Sequence, residues 1–141
     1  MFGKSIMIDY DRLRRLISSA LGRGSGYKPI PKGSKVELVI PSGSPAGSEF
    51  NVVVEPDDGY EFDIAYFILD TTSDVEANII VETSEGEFTL LADNTTTGVM
   101  LDASDFGGLG GIKKFILYAK VVNAPASDTT ITLEYGGRQV V

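Results

Sequence analysis

From Lys35 to the end of the chain, apolar residues return at every second position, segment after segment, with short turn-forming stretches between them. A period of two marks a half-buried β-strand, because successive side chains on an extended backbone point to opposite faces. Val36, Leu38 and Ile40 alternate with Lys35, Glu37 and Val39, and Phe50, Val52 and Val54 alternate with Glu49, Asn51, Val53 and Glu55. The pattern continues through Phe62, Ile64, Tyr66 and Ile68, through Val75, Ala77, Ile79 and Val81, and through Phe88, Leu90 and Ala92. It resumes at Val99 and Leu101, at Phe115, Leu117, Ala119 and Val121, and at Ile131, Leu133 and Tyr135. Eight strands are predicted. The stretches between them, such as Pro56-Asp57-Asp58-Gly59 and Ser84-Glu85-Gly86, carry turn chemistry and leave no room for a crossover helix. Sheets joined this way must be mostly antiparallel. The expected fold is therefore all-β, an antiparallel β-sandwich, with the jelly roll as the first topology and an immunoglobulin-like Greek key as the second. Its core is expected to include Leu38, Val52, Phe62, Ile64, Ile79, Phe88, Leu117 and Leu133.

The first 34 residues follow a different rule. Asp9 can cap a helix over 9–21, and Asp11 complements the positive end of its dipole. Tyr10, Leu13, Leu16, Ile17, Ala20 and Leu21 share one face at helical spacing, Arg12, Arg14 and Arg15 lie away from it, and Gly22 supplies a stop. Residues 22–34 are rich in Gly, Pro and basic side chains and read as a linker. Two parts are predicted: a basic arm over 1–34 and a sandwich over 35–141. Charge divides in the same way. Up to residue 35 there are eight Lys and Arg against two Asp, whereas four basic residues face eighteen acidic ones beyond it, and the whole chain carries −8. An arm of that sign suits an acidic partner, and in an assembly of identical chains the nearest acidic surface is a neighbour's body.

At 141 residues the chain is one domain, long enough to bury a core unaided. It contains neither Cys nor His. Disulfides, thiol nucleophiles, His-ligated metals and the Ser-His-Asp triad are thereby excluded, and no side chain titrates near neutrality at its ordinary pKa. No apolar run is long enough to span a bilayer as a helix, and Met1 to Ile8 makes a poor signal peptide. Asp57 and Asp58, or Asp102 and Asp105, could supply oxygens to calcium, but they read first as turn residues. Gly107-Gly108-Leu109-Gly110-Gly111 lacks the Gly-Lys-Ser/Thr ending of a phosphate loop and reads as a flexible loop. Asn94-Thr95-Thr96 matches a glycosylation acceptor only formally. No metal or cofactor is expected.

The second face of the strands is less polar than a solvated face should be. Val53, Phe67, Leu69, Ile80, Leu91, Ile116, Tyr118 and Val122 all fall out of phase with the expected core. Either the N-terminal helix covers them or another subunit does. The candidate interface therefore comprises Phe67, Leu69, Ile80, Ile116 and Tyr118 on an outer sheet face, with Arg12, Leu13, Arg14, Arg15, Leu16, Ile17 and Leu21 on the arm.

In layout, a basic extendable arm of Met1 to Ser34 before a sandwich of Lys35 to Val141, the chain resembles the small jelly-roll virion proteins: capsid, cement and head-decoration proteins of viruses and phages. The likeness is one of organisation and carries no functional residue with it. It implies a non-enzymatic structural subunit, found in a virion, that assembles with itself and with a major capsid protein. Nucleic acid is expected only through the arm, since the acidic body repels phosphate. The alternative is a carbohydrate-binding sandwich, in which Tyr60, Tyr66 and Tyr118 would stack sugars in place of the absent Trp.

Overall fold

A computed structural model describes residues 26–141. The predicted helix over 9–21, and with it the interface residues Arg12, Leu13, Arg14, Arg15, Leu16, Ile17 and Leu21, lies outside the described residues. Nine strands follow in order: β1 Tyr27–Pro29, β2 Lys35–Ile40, β3 Glu49–Val54, β4 Glu61–Asp70, β5 Val75–Thr83, β6 Gly86–Asn94, β7 Val99–Asp102, β8 Lys114–Val121 and β9 Thr129–Val140. A short 3-10 turn, Ala103–Phe106, interrupts them after β7. Among the described residues no helix is long and apolar enough to cross a membrane.

All pairing is antiparallel, and the strands divide into two sheets. One runs β1-β9-β4-β7, with β2 also paired to β9; the other runs β3-β8-β5-β6. The partners nest from the outside in: β2 with β9, β3 with β8, β4 with β7 and β5 with β6. The chain is thus one long hairpin whose tip is the two-residue turn Ser84-Glu85 between the paired Thr83 and Gly86. Successive pairs drop into alternate sheets. The additional pairings β4–β9 and β5–β8 join the pairs within each sheet.

Between the sheets Phe67, Phe115, Ile40, Ile64, Leu69, Ile79, Leu117, Ile131 and Leu133 are almost wholly shielded from solvent. Phe115 sits at the centre, with the rings of Phe62, Phe67 and Tyr135 at 5.2, 5.1 and 5.0 Å in tilted or edge-on contact. Of the expected core, Phe62, Ile64, Ile79, Leu117 and Leu133 are buried, and Leu38 and Val52 pack against them from the sheet margins.

Four expectations are corrected. Phe67 and Leu69, assigned to the outer face, are fully buried in the core, while Tyr66 and Ile68 face outward. The cause is a β-bulge at Ala65: β4 pairs Ile64 with Gly137 and Tyr66 with Gly136, so one extra residue reverses the inward phase along the strand. Residues 27–30 are not linker. Tyr27, Lys28 and Pro29 pair with Val140, Gln139 and Arg138 beyond the reach of β2, and the Ile30 amide donates to the Gly137 carbonyl at 2.9 Å. Pro29 is tolerated there because β1 is an edge strand. The Gly107–Gly111 stretch is anchored rather than loose, since Leu109 and Ile112 are buried and the Ile64 amide donates to the Leu109 carbonyl at 2.9 Å.

The fourth correction is Phe88, which has the inward phase but stays 48% exposed. Among the described residues the loop 106–112, and not a strand of the other sheet, lines the groove across from it. A groove of about 550 Å³ separates the β5–β6 hairpin from the 103–112 loop, lined by Val81, Phe88, Leu90, Phe106, Leu109 and Ile112.

Candidate interaction face

Three of the five outer-face residues, Ile80, Ile116 and Tyr118, come together on the solvent side of the β3-β8-β5-β6 sheet. Each lies between inward neighbours that are fully buried, so strict alternation fixes its direction: Ile116 and Tyr118 flank Leu117, and Ile80 lies between Ile79 and Val81. Register then sets four rows across the face. Val53, Ile116, Ile80 and Thr89 form an apolar row with Thr at one end, and Asn51, Tyr118 and Asn78 form the next. Charged rows close both ends. Lys114 stands beside Glu82 and Glu87 on one side, and Glu49, Lys120 and Glu76 line up on the other.

Val53 is 43% exposed, while Ile80 and Ile116 are half-buried by the long side chains around them. Lys114 approaches Glu82 to 3.8 Å. The Tyr118 hydroxyl donates to the Glu49 carboxylate. That hydrogen bond, then partial burial and the carboxylate's charge, holds the phenol above its ordinary pKa. Tyr118 thus stays a neutral donor across the physiological range, its ring pinned over β3.

The charged members of these rows had a trace in the sequence. The outward phase of β5 opens and closes with Glu76 and Glu82, and that of β8 with Lys114 and Lys120. What alternation alone does not give is that β5 and β8 are neighbours in register.

The other candidate groups have local duties. Asp102 caps the 3-10 turn by accepting from the Ser104 amide at 3.0 Å and its hydroxyl at 2.9 Å, and Asp105 reaches back to the Asp102 amide at 3.2 Å. These bonds favour the charged form and draw the Asp102 carboxyl below its ordinary pKa. Asp57 accepts from Lys28 at 2.7 Å, and its own amide donates to the Gln139 side chain at 2.7 Å. Among the described residues no three acidic side chains gather as a metal site would require. One basic residue of the predicted arm belongs to the sandwich instead, Lys28 paired with Asp57, while Lys35, on β2, approaches Glu37 to 3.6 Å.

The three Tyr do not share a platform. Tyr66 faces outward from the β1-β9-β4-β7 sheet, where its hydroxyl donates to Glu134 at 3.2 Å; Tyr118 faces outward from the opposite sheet; Tyr60 precedes β4, under the Lys28 ammonium at 4.5 Å from its ring centre.

No family model matches the sequence, and no curated protein does. Among solved structures the chain is similar to the Yersinia pseudotuberculosis-derived mitogen, at 12% identity and a TM-score of 0.46, over 76% of this chain and 86% of that one.

Proposed function

We propose that this chain is a non-enzymatic structural subunit that associates with copies of itself, and that a virus or phage particle is the setting of that assembly. The observation that carries the self-association is the Val53, Ile116 and Ile80 row on the outside of a sheet already packed on its other face. Apolar side chains in a contiguous row, rimmed by charge, are the make-up of a protein contact surface. The particle setting rests on the layout likeness and on strand order. An outside-in hairpin folded into sheets of order β2-β9-β4-β7 and β3-β8-β5-β6 supports the jelly-roll reading. A sandwich hosts many tasks, so the order supports the setting and does not carry it.

The arm enters the same reading. Residues 1–25 hold five Lys and Arg against two Asp, and the remainder is strongly acidic. Docking of that segment on a neighbour's body would be salt-sensitive. Sedimentation of the full chain over a wide concentration range is the test. Mass rising above one chain, reduced by Ile116→Asp, by deletion of residues 1–26 and by added salt, is the expected result. A chain that stays monomeric and binds a glycan array would replace this reading with the carbohydrate-binding one.

A further inference from the structure

The charges around the apolar row are not scattered. On β8 the outward residues are Lys114, Ile116, Tyr118 and Lys120; facing them in register on β5 are Glu82, Ile80, Asn78 and Glu76. Each β8 cation has a β5 carboxylate as its lateral neighbour. Two sheets can stack face to face about a two-fold axis lying in the interface, and only two directions of that axis respect the strands.

An axis roughly parallel to the strands, between β8 and β5, exchanges these two strands at constant height. Lys114 then meets Glu82 of the other copy, Lys120 meets its Glu76, and Ile116 meets its Ile80. Tyr118 meets its Asn78, and Val53 on β3 meets its Thr89 on β6. An axis across the strands, level with the gap between Ile116 and Tyr118, keeps each strand over itself and inverts its height. Lys114 then meets Lys120, and Glu82 meets Glu76. Like charges facing each other in a contact are strongly disfavoured, so the sign pattern selects the first axis.

Resting on the self-association reading above, we infer that this face pairs with a second copy of itself about a two-fold axis parallel to β5 and β8. Lys114 and Lys120 thereby bridge to Glu82 and Glu76 of the partner copy. Glu49 and Glu87, on the edge strands, fall at the rim, where water screens them. The face spans four strands and about seven residues of length, on the order of 400 Å² per copy from ordinary strand spacings. That is the size of a weak, reversible contact, so the dimer is expected at high micromolar concentration rather than at nanomolar.

The chain has no Cys, which makes single cysteines clean reporters. Under the inferred axis the two copies of residue 114 lie about 11 Å apart, one strand spacing to the side across the gap between the sheets; under the other axis they lie about 22 Å apart, six residues along the strand and across the same gap, and residue 114 faces residue 120. The experiment treats full-length Lys114→Cys, Lys120→Cys and their equimolar mixture with a short bismaleimide at high protein concentration. Each variant alone should give a covalent dimer, and the mixture should add no 114-to-120 product. Separately, Lys114→Glu with Lys120→Glu should weaken association about tenfold, and mixing that chain with Glu76→Lys, Glu82→Lys should restore it. A dominant 114-to-120 product overturns the axis while leaving self-association standing. A dimer by mass that neither cysteine captures overturns this face as the contact. A full chain that remains monomeric at millimolar concentration overturns both the axis and the reading beneath it.

Discussion

Gly136 and Gly137 carry no side chain because none fits. A Cβ on Gly137 would come within 2.2 Å of the Asp63 carbonyl oxygen and 2.8 Å of the Ala65 amide nitrogen, and its φ of +132° is one that L residues rarely adopt. On Gly136 the obstacle is softer, the ring of Tyr66 at 2.2 Å, laid over the bare backbone in the manner of an aromatic that shields a strand glycine. Gly137→Ala should therefore cost about 1–3 kcal/mol in backbone strain alone, with the steric clash added to it. Gly136→Ala should be rescued in part by Tyr66→Ala, whereas Gly137→Ala should not; denaturation of the two double variants tells them apart. At the same scale, Asp102 predicts an acid limb. Its folded pKa lies below the ordinary carboxylate value, so the stability it contributes is present above that ordinary value and is lost as pH falls through the folded one. Urea midpoints taken from about pH 5 down to pH 2 should fall less steeply for Asp102→Asn than for the native chain.

The strand is the scale at which alternation speaks most clearly, and also where it misleads. In β8 and β5 the outward phase is polar or charged at most positions, so the inward phase is unambiguous and Ile80, Ile116 and Tyr118 are legible as outward. In β4 every residue from Ala65 to Leu69 is apolar or aromatic, and either phase satisfies the pattern. Nothing in β4 itself marks the bulge; its counterpart, the Gly136-Gly137 pair, sits some seventy residues away in β9, as the Ile64 to Gly137 pairing requires. β1 escaped for another reason, since Tyr-Lys-Pro is too short to have a period and sits among glycines and prolines. Alternation gives Phe88 its inward direction, across from Val81, but burial depends on what lies opposite, which is a loop. The phase reversal is measurable. Phe67→Ala should cost about 3–5 kcal/mol and Leu69→Ala about 2–5 kcal/mol, the range for fully buried side chains, while outward-facing Ile68→Ala should cost clearly less. Equal losses at 67, 68 and 69 would mean that the bulge is placed wrongly.

On the scale of the whole molecule, the governing feature is that the outermost pairs join residues far apart in sequence: Tyr27 with Val140, and Lys35 with Glu134. Loop-closure entropy must be spent before such contacts reward it, so refolding should take milliseconds to seconds, at the slow end for a domain of this size. Stopped-flow fluorescence of the Tyr residues would measure it, and microsecond folding would contradict the nested pairing. The same nesting bears on how the chain is made. A ribosome delivers β2, β3, β4 and β5 before any of their outer partners exist, and among the described strands only the pair at the Ser84-Glu85 tip can zip as soon as it emerges. β3 waits for β8, and β2 waits for β9, the last of the nine described strands. Throughout that interval the apolar faces of the early strands stand open to any other chain, so the acidic side chains that alternate with them guard the nascent polypeptide before they ever decorate a finished surface.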